Sequence, residues 1–243
     1  MSKKPIRTEL ASVDADRIVV RGQDLTELIG RVTLGEMAFL ELMGRLPTAP
    51  EATVFDALTV TLVEHGLTPS AVATRLTLLG APESLQGAVA AGLLGLGQRF
   101  GGPVEDAARM LQEAGDATAA EIVAGYRERR RPVPGLGHPQ HTETDPRVPR
   151  LLEVAAANGF SGRHVQLLKE IAEEASRVTG RHLPINATGA MGAIASEIGL
   201  RWQVCRGLAV MARAIGLVAH VQDEMDAPIA RAILERMDED TED

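Results

Sequence analysis

The stretch SGRHVQLLKEIAEEASRVT, residues 161–179, decides the fold class. Its apolar residues Val165, Leu168, Ile171 and Ala175 recur at the spacing of one helix face, with polar and charged residues between them. Working outward, the same reading recurs on both sides. Asn186 to Ile198 is small and apolar, and Arg201 to Gln222 is a long apolar helix. Upstream, Arg147 to Ala157 reads as a helix closed by Asn158-Gly159, and Thr118 to Arg130 as an amphipathic one ending in Arg129-Arg130-Arg131. Gly101-Gly102-Pro103 is expected to break the pattern, with Pro103 in the first turn of a helix from Val104 to Ala114. Further helices are expected at Pro69 to Leu79, from Pro82 onward, and from Ala49 to about Glu64. Thr33 is a candidate N-cap with Glu36 completing a capping box, for a helix ending at Gly44. Ser12 to Gly22 reads as a short extended segment or hairpin. Met1 to Ala15 and the acidic Asp238 to Asp243 are expected to be poorly ordered ends. Period-two alternation is almost absent, so the expected fold is all-α.

Composition agrees. Aromatic residues are 2% of the 243 positions, while 45% are apolar and 24% charged. The core must therefore come from Leu, Ala, Val, Ile and Met, a mix that favours helix over strand. The formal net charge of −8 argues against nucleic acid or an anionic membrane as partner, and means that an anionic ligand needs a locally basic pocket. Cys205, the one cysteine, excludes an intrachain disulfide, is compatible with a reducing cytoplasm, and reads as an inert buried thiol. Met1 to Leu10 is basic but no apolar run follows, so no secretory leader is expected. No uninterrupted apolar stretch approaches the length of a membrane span.

Chemistry gathers at Gly135-Leu136-Gly137-His138 and Thr144-Asp145-Pro146-Arg147. Glycines let backbone and ligand approach closely. A histidine donates a hydrogen bond or moves a proton near neutral pH. An arginine offers a planar fork to a carboxylate. The same residues also read as a solvated loop with His138 at a helix cap and Arg147 paired to Asp145. His65, at a helix end, and Arg206, in an apolar helix where a buried cation needs a partner, extend the candidate set. No metal-ligand constellation stands out: His138 and His141 lack a third ligand at useful spacing. Gly135-Leu136-Gly137 lacks the third glycine and preceding strand of a dinucleotide fingerprint.

Several segments, in order and over residues 18–226, resemble the citrate synthase superfamily, most of all its short citryl-CoA lyase branch, which is related to the citrate synthase-like module of ATP-citrate lyase. They are VRGQDLTELIGRVTLGEMAFLELMGRLPT, EHGLTPSAVATR, SLQGAVAAGLLGLGQRFGGPVEDAARML, PGLGHPQHTETDPR, LPINATGAMGAIASEIGL and RGLAVMARAIGLVAHVQDEM. The resemblance implies an all-α homodimer, with higher assembly open. It implies a large helical domain (residues 1–103 and 205–243), a smaller inserted one (104–204), and a cleft between them. It implies a substrate carrying coenzyme A together with a di- or tricarboxylate, no permanently bound cofactor and no metal. By position, His65, His138, Arg147 and Arg206 match residues that hold the oxo-acid or citryl group. Arg99 and Asn186 join that binding set. Val133, Gly135, Leu136 and Gly137 match the segment that cradles coenzyme A.

Two departures bear on the reaction. The family's synthases carry a histidine before the Gly-Gly pair, where this chain has Phe100. They carry a general-base aspartate in an Asn-Val-Asp segment, where this chain has Asn186-Ala187-Thr188. A threonine hydroxyl is too weak a base to deprotonate a thioester α-carbon. The expected activity is therefore cleavage of a citryl-type thioester to acetyl-CoA and oxaloacetate or a related 2-oxo acid, with His138, Thr188 and His65 as catalytic candidates. His138 is cast as acceptor of the hydroxyl proton, and Thr188, Asn186 or backbone near Gly101 as donors to the enolate. A condensing enzyme with another acceptor and a non-catalytic acyl-CoA or organic-acid binder are the alternatives.

Overall fold

A computed structural model describes residues 8–138 and 141–239. The chain divides into two compact units, Met1–Asp56 and Ala57–Asp243.

In the first unit, β1 (Ala11–Val13), β2 (Ile18–Val20) and β3 (Gln23–Asp24) form an antiparallel meander. Strand β1 thus lies within the stretch Met1 to Ala15 expected to be poorly ordered, of which residues 1–7 lie outside the described residues. Arg21 and Gly22, with φ of 48° and 79°, make the two-residue turn between β2 and β3, the positive-φ geometry that matches strand twist. Arg21 is held there by its guanidinium, which donates to the Glu41 carbonyl at 2.6 and 3.1 Å. Asp24 caps α1 (Leu25–Leu28). Thr33 and Glu36 form the expected capping box of α2 (Leu34–Met43), which ends at Gly44 in the left-handed region. Helix α3 (Ala49–Val63) follows. The Phe39 and Phe55 rings are fully buried and meet edge to face at 5.5 Å.

The second unit continues with α4 (Pro69–Gly80), α5 (Leu85–Leu94), α6 (Gly102–Gln112), α7 (Ala119–Glu128), α8 (Arg147–Ala157), α9 (Arg163–Thr179), α10 (Ala187–Ile198), α11 (Trp202–Asp226) and α12 (Ala230–Glu239). Helix α5 starts at Leu85 rather than Pro82, because Ala81 to Ser84 close a turn through the Ser84 N–H to the Ala81 carbonyl. Gly101-Gly102-Pro103 does not break the chain's helical course. A π-helical turn, Gly97–Gly101, runs directly into α6. Pro103 sits in the first turn of α6, where its missing N–H costs nothing. Helix α12 takes in Asp238 and Glu239, the first two residues of the expected frayed tail. Its start is fixed by Glu224, whose Oε1 accepts the Ile229 and Ala230 N–H groups. Residues 240–243 lie outside the described residues.

Contrary to the expectation that no stretch suits a membrane, α11 is long and apolar enough to span one by length and composition alone, but half of its most apolar window is buried inside the fold. It reads better as a core helix. Helix α10 is buried almost all round, as its small residues require. A Cβ at Gly192 would stand 2.8 Å from the Ala108 nitrogen and 2.9 Å from the Ala107 Cβ, so α6 and α10 touch at backbone level. Gly192→Ala is expected to lower stability by about 1–3 kcal/mol through overpacking, despite alanine's better helix propensity. Urea unfolding checks this; an unchanged or raised midpoint would contradict the close approach.

Candidate functional site

The loop ahead of α8 is built onto the N-terminus of α10. Gly135 and Gly137 have φ of 82° and 73°, which an L side chain rarely adopts. A Cβ on Gly135 would lie 2.6 Å from the Gly189 Cα, so glycine is required there twice over. Leu136 bridges to Ile185, the Gly137 N–H donates to the Pro184 carbonyl at 2.8 Å, and the Asn186 N–H to the Gly135 carbonyl at 3.0 Å. Asn186 also donates from Nδ2 to the Gly137 carbonyl at 2.7 Å, while its Oδ1 accepts the Gly189 N–H and the Thr188 hydroxyl. Asn186 thus caps α10 and ties down the glycine loop, and the Thr188 hydroxyl is engaged with Asn186. Val133 and Leu136 are half-buried beside it.

Asp145 is fully buried and anchors the loop's far end. Its two oxygens take the Arg147 guanidinium side-on, Nε at 2.9 Å and Nη2 at 2.8 Å. They also accept the backbone N–H groups of Arg147 and Ala187. Burial alone would raise the Asp145 pKa, but Arg147 and these amides outweigh it and hold the carboxyl at about 2. The pairing that a plain structural reading expected is present, and Arg147 nonetheless lines a cavity.

His138 is half-buried and stacks on His141 at 4.4 Å between ring centroids. Pro139 and Gln140, within the same motif, lie outside the described residues. The His141 N–H donates to His138 Nδ1 at 3.0 Å, so a neutral His138 carries its proton on Nε2. Burial, then the charges of His141, Arg147 and His65 against that of Asp145, lower its pKa. His138 is therefore held away from its imidazolium form, with the proton of the neutral ring on Nε2.

A cavity of about 160 Å³ lies beside α4 and α11, with His65, Ser70, Phe100, Arg147 and Arg213 in its wall. Phe100 reaches it from the π-helical turn. The first turn of α4 adjoins it through Thr68, Pro69 and Ser70, with Thr68 Oγ1 capping the helix, so the positive end of the helix dipole borders the space. Arg213 is 8% exposed, and its Nε and Nη1 meet no hydrogen-bond partner among the described residues. Burial lowers its pKa, opposed by the Glu64 carboxylate. A buried cation lacking hydrogen bonds is costly unless an anion completes it.

Of the sequence candidates, His65 and Arg147 line this cavity, and His138 lies within electrostatic reach of both. Arg206 and Arg99 are not among its lining residues. Arg206 pairs with Glu105 at 3.0 Å and with Gln98, and Arg99 is exposed on the π-helical turn. Arg213 was missed. It sits two turns beyond Arg206 on the same helix, and the requirement that a buried arginine be paired applies to it equally. Cys205 is buried, with its thiol pushed up to about 12 by burial, as an inert core cysteine should be.

Residues 47–236 match the family model described as citrate synthase, C-terminal domain. The chain belongs to the citrate synthase family. Its structure is similar to that of citryl-CoA lyase from Hydrogenobacter thermophilus, at 36% identity and a TM-score of 0.87, covering 92% of this chain and 88% of that one. ATP citrate lyase from Methanothrix soehngenii, solved with citrate and coenzyme A, shares the fold at 21% identity and a TM-score of 0.81, over 93% of this chain and 40% of that one. ATP-citrate synthase beta chain protein 1 of Arabidopsis thaliana is 30% identical over 179 residues, 66% of this chain. The chain spans only 29% of that curated relative's length.

The Asp145 cluster gives this family member a pH signature. Its folded-state value of about 2 lies below the roughly 3.9 of an unfolded aspartate. Its contribution is therefore full above about pH 4 and lost as pH falls through about 2. Asp145→Asn is expected to cost on the order of 2 kcal/mol at pH 7, with the difference from wild type closing toward pH 2. A gap that stays constant across that range in pH-dependent unfolding would refute the assignment.

Proposed function

We propose that the chain is a citryl-CoA lyase-type enzyme that cleaves a citryl-type CoA thioester into acetyl-CoA and oxaloacetate or a related 2-oxo acid. The observation that carries this reading is the cavity that Arg213, Arg147, His65 and the α4 N-terminus line, with Arg213 Nε and Nη1 lacking a hydrogen-bond partner among the described residues. Three cationic or donor groups and a helix dipole around one small space suit a compact polycarboxylate. The coenzyme A portion is assigned to the segment Val133 to Gly137, which the resemblance matches to the family's coenzyme A cradle.

In this reading the carboxylates of the citryl group sit against Arg213 and Arg147. His138 donates its Nε2–H to the oxygen on the tertiary carbon, stabilising that oxygen as it becomes a carbonyl. The hydroxyl proton passes to His65, the second imidazole at the site. This reassigns the acceptor role first given to His138, whose Nδ1 is occupied by the His141 N–H. As the carbon–carbon bond breaks, its electron pair stays on the acyl methylene as a thioester enolate. That carbon then takes up the proton, so the step balances without a co-reactant.

A non-catalytic binder is the second reading, favoured by Phe100 in the cavity wall and by the engagement of the Thr188 hydroxyl with Asn186. Incubation with citryl-CoA, followed by mass spectrometry for acetyl-CoA and oxaloacetate, separates the two. Product is expected, and His138→Ala is expected to abolish it. Arg213→Met is expected to raise the melting temperature of the ligand-free protein, because a buried cation short of hydrogen bonds is removed. It should also eliminate any thermal shift produced by citrate. Absence of product together with a retained citrate shift would favour the binder. An Arg213→Met variant that still binds citrate normally would remove the basis of both readings.

A further inference from the structure

Behind the cavity lies a directed chain of hydrogen bonds that ends on the turn carrying His65. Its centre is His220 on α11, 8% exposed and absent from the cavity's lining residues. Its Nδ1 faces the buried Arg75 guanidinium of α4, with Nε at 3.1 Å and Nη2 at 2.9 Å. A guanidinium has only donors. Nδ1 is therefore the acceptor, and the neutral His220 ring carries its proton on Nε2. That Nε2 stands 3.1 Å from Glu64 Oε2 and 3.3 Å from Oε1.

Glu64 Oε1 in turn accepts the backbone N–H of His65 at 2.8 Å and of Gly66 at 2.5 Å. Gly66 has a φ of 69°, so this turn takes a form that needs an outside hold as well as a glycine. Burial would raise the Glu64 pKa, but the two amides and His220 outweigh it and keep the carboxyl below its ordinary range. The same carboxylate is the charge that supports Arg213. Arg75 donates to His220, His220 to Glu64, and Glu64 gathers the two amides of the His65 turn.

Arg75 does not need His220 for its own charge. Its Nη1 donates to Glu224 at 2.7 Å and its Nη2 to Asp223. The imidazole's distinct contribution is toward Glu64. We propose that His220 is a positioning residue: by donating Nε2–H to Glu64 it fixes the turn that presents His65 and the carboxylate that faces Arg213. The effect on ligand binding rests on the carboxylate reading of the cavity above; the positioning itself does not.

Three readouts on the full chain test this. In wild type labelled with ¹⁵N-histidine, the His220 resonances should show an unprotonated Nδ1 and a protonated Nε2; the opposite tautomer overturns the chain. In His220→Phe, which keeps ring volume but has neither nitrogen, amide exchange at His65 and Gly66 is expected to quicken about tenfold, the scale of one lost hydrogen bond. Exchange in α10 should not change. His220→Gln, which keeps an acceptor and a donor, should restore protection. Citrate affinity by calorimetry should fall and recover in parallel. Unchanged exchange at His65 and Gly66 in His220→Phe, or no rescue by Gln, overturns the proposal. If wild type fails to bind citrate, the carboxylate reading falls while tautomer and exchange still decide the role of His220.

Discussion

Asp145 is the point on which the site's geometry depends. It is a carboxylate with no exposure to water, so it is stable only if its oxygens are filled. They are filled from two directions, by the side chain and amide of Arg147 and by the Ala187 amide at the head of α10. Breaking any of these leaves a buried charge short of partners, which costs more than an ordinary contact. The loop with His138, the start of α8 and the start of α10 are therefore held as one body. Arg147 is oriented by a group that it does not leave, and a ligand meets a preset guanidinium.

In the proposed reading a chain of net −8 offers an anion site because of where its charges are balanced. The acidic residues are used locally: Glu105 on Arg206, Asp145 on Arg147, Asp223 and Glu224 on Arg75. Arg213 is different. Glu64 acts on it electrostatically, yet two of its nitrogens find no hydrogen-bond partner among the described residues. In a low-dielectric wall such a cation acts strongly on an anion beside it, while distant surface charges are screened within about 10 Å.

Much of this was legible in the sequence because it is local. The Thr33–Glu36 capping box, the Gly44 terminus and the helix face of residues 163–179 are readable from spacing and formed as read. The motif segments placed His65 and Arg147 at one cavity. What spacing cannot do is choose between residues that share a helix face. Arg206 and Arg213 are two turns apart on α11, and only the tertiary fold decides which meets Glu105 and which meets the cavity. The π-helical turn was invisible for a related reason: two glycines and a proline signal a break, and only packing shows the helix carrying on through them. Helix α12 depends on Glu224 capping it, and β1 on pairing with β2.

The engagement of Asn186 and Thr188 bears on the direction of the reaction. The resemblance to synthases places their general base where this chain has Thr188, and here that hydroxyl donates to Asn186 at the head of α10. A threonine hydroxyl is too weak a base to abstract a proton from a thioester α-carbon, and here it is turned toward the Asn186 that caps the helix. Condensation must begin with that abstraction, the hardest proton transfer of the cycle. Cleavage begins instead at a hydroxyl, whose oxygen needs a donor as it turns into a carbonyl. A neutral His138 with its proton on Nε2 is such a donor. The groups retained here fit the start of the cleavage direction; the replaced aspartate bears on its end, where in the proposed step the enolate carbon takes its proton from His65.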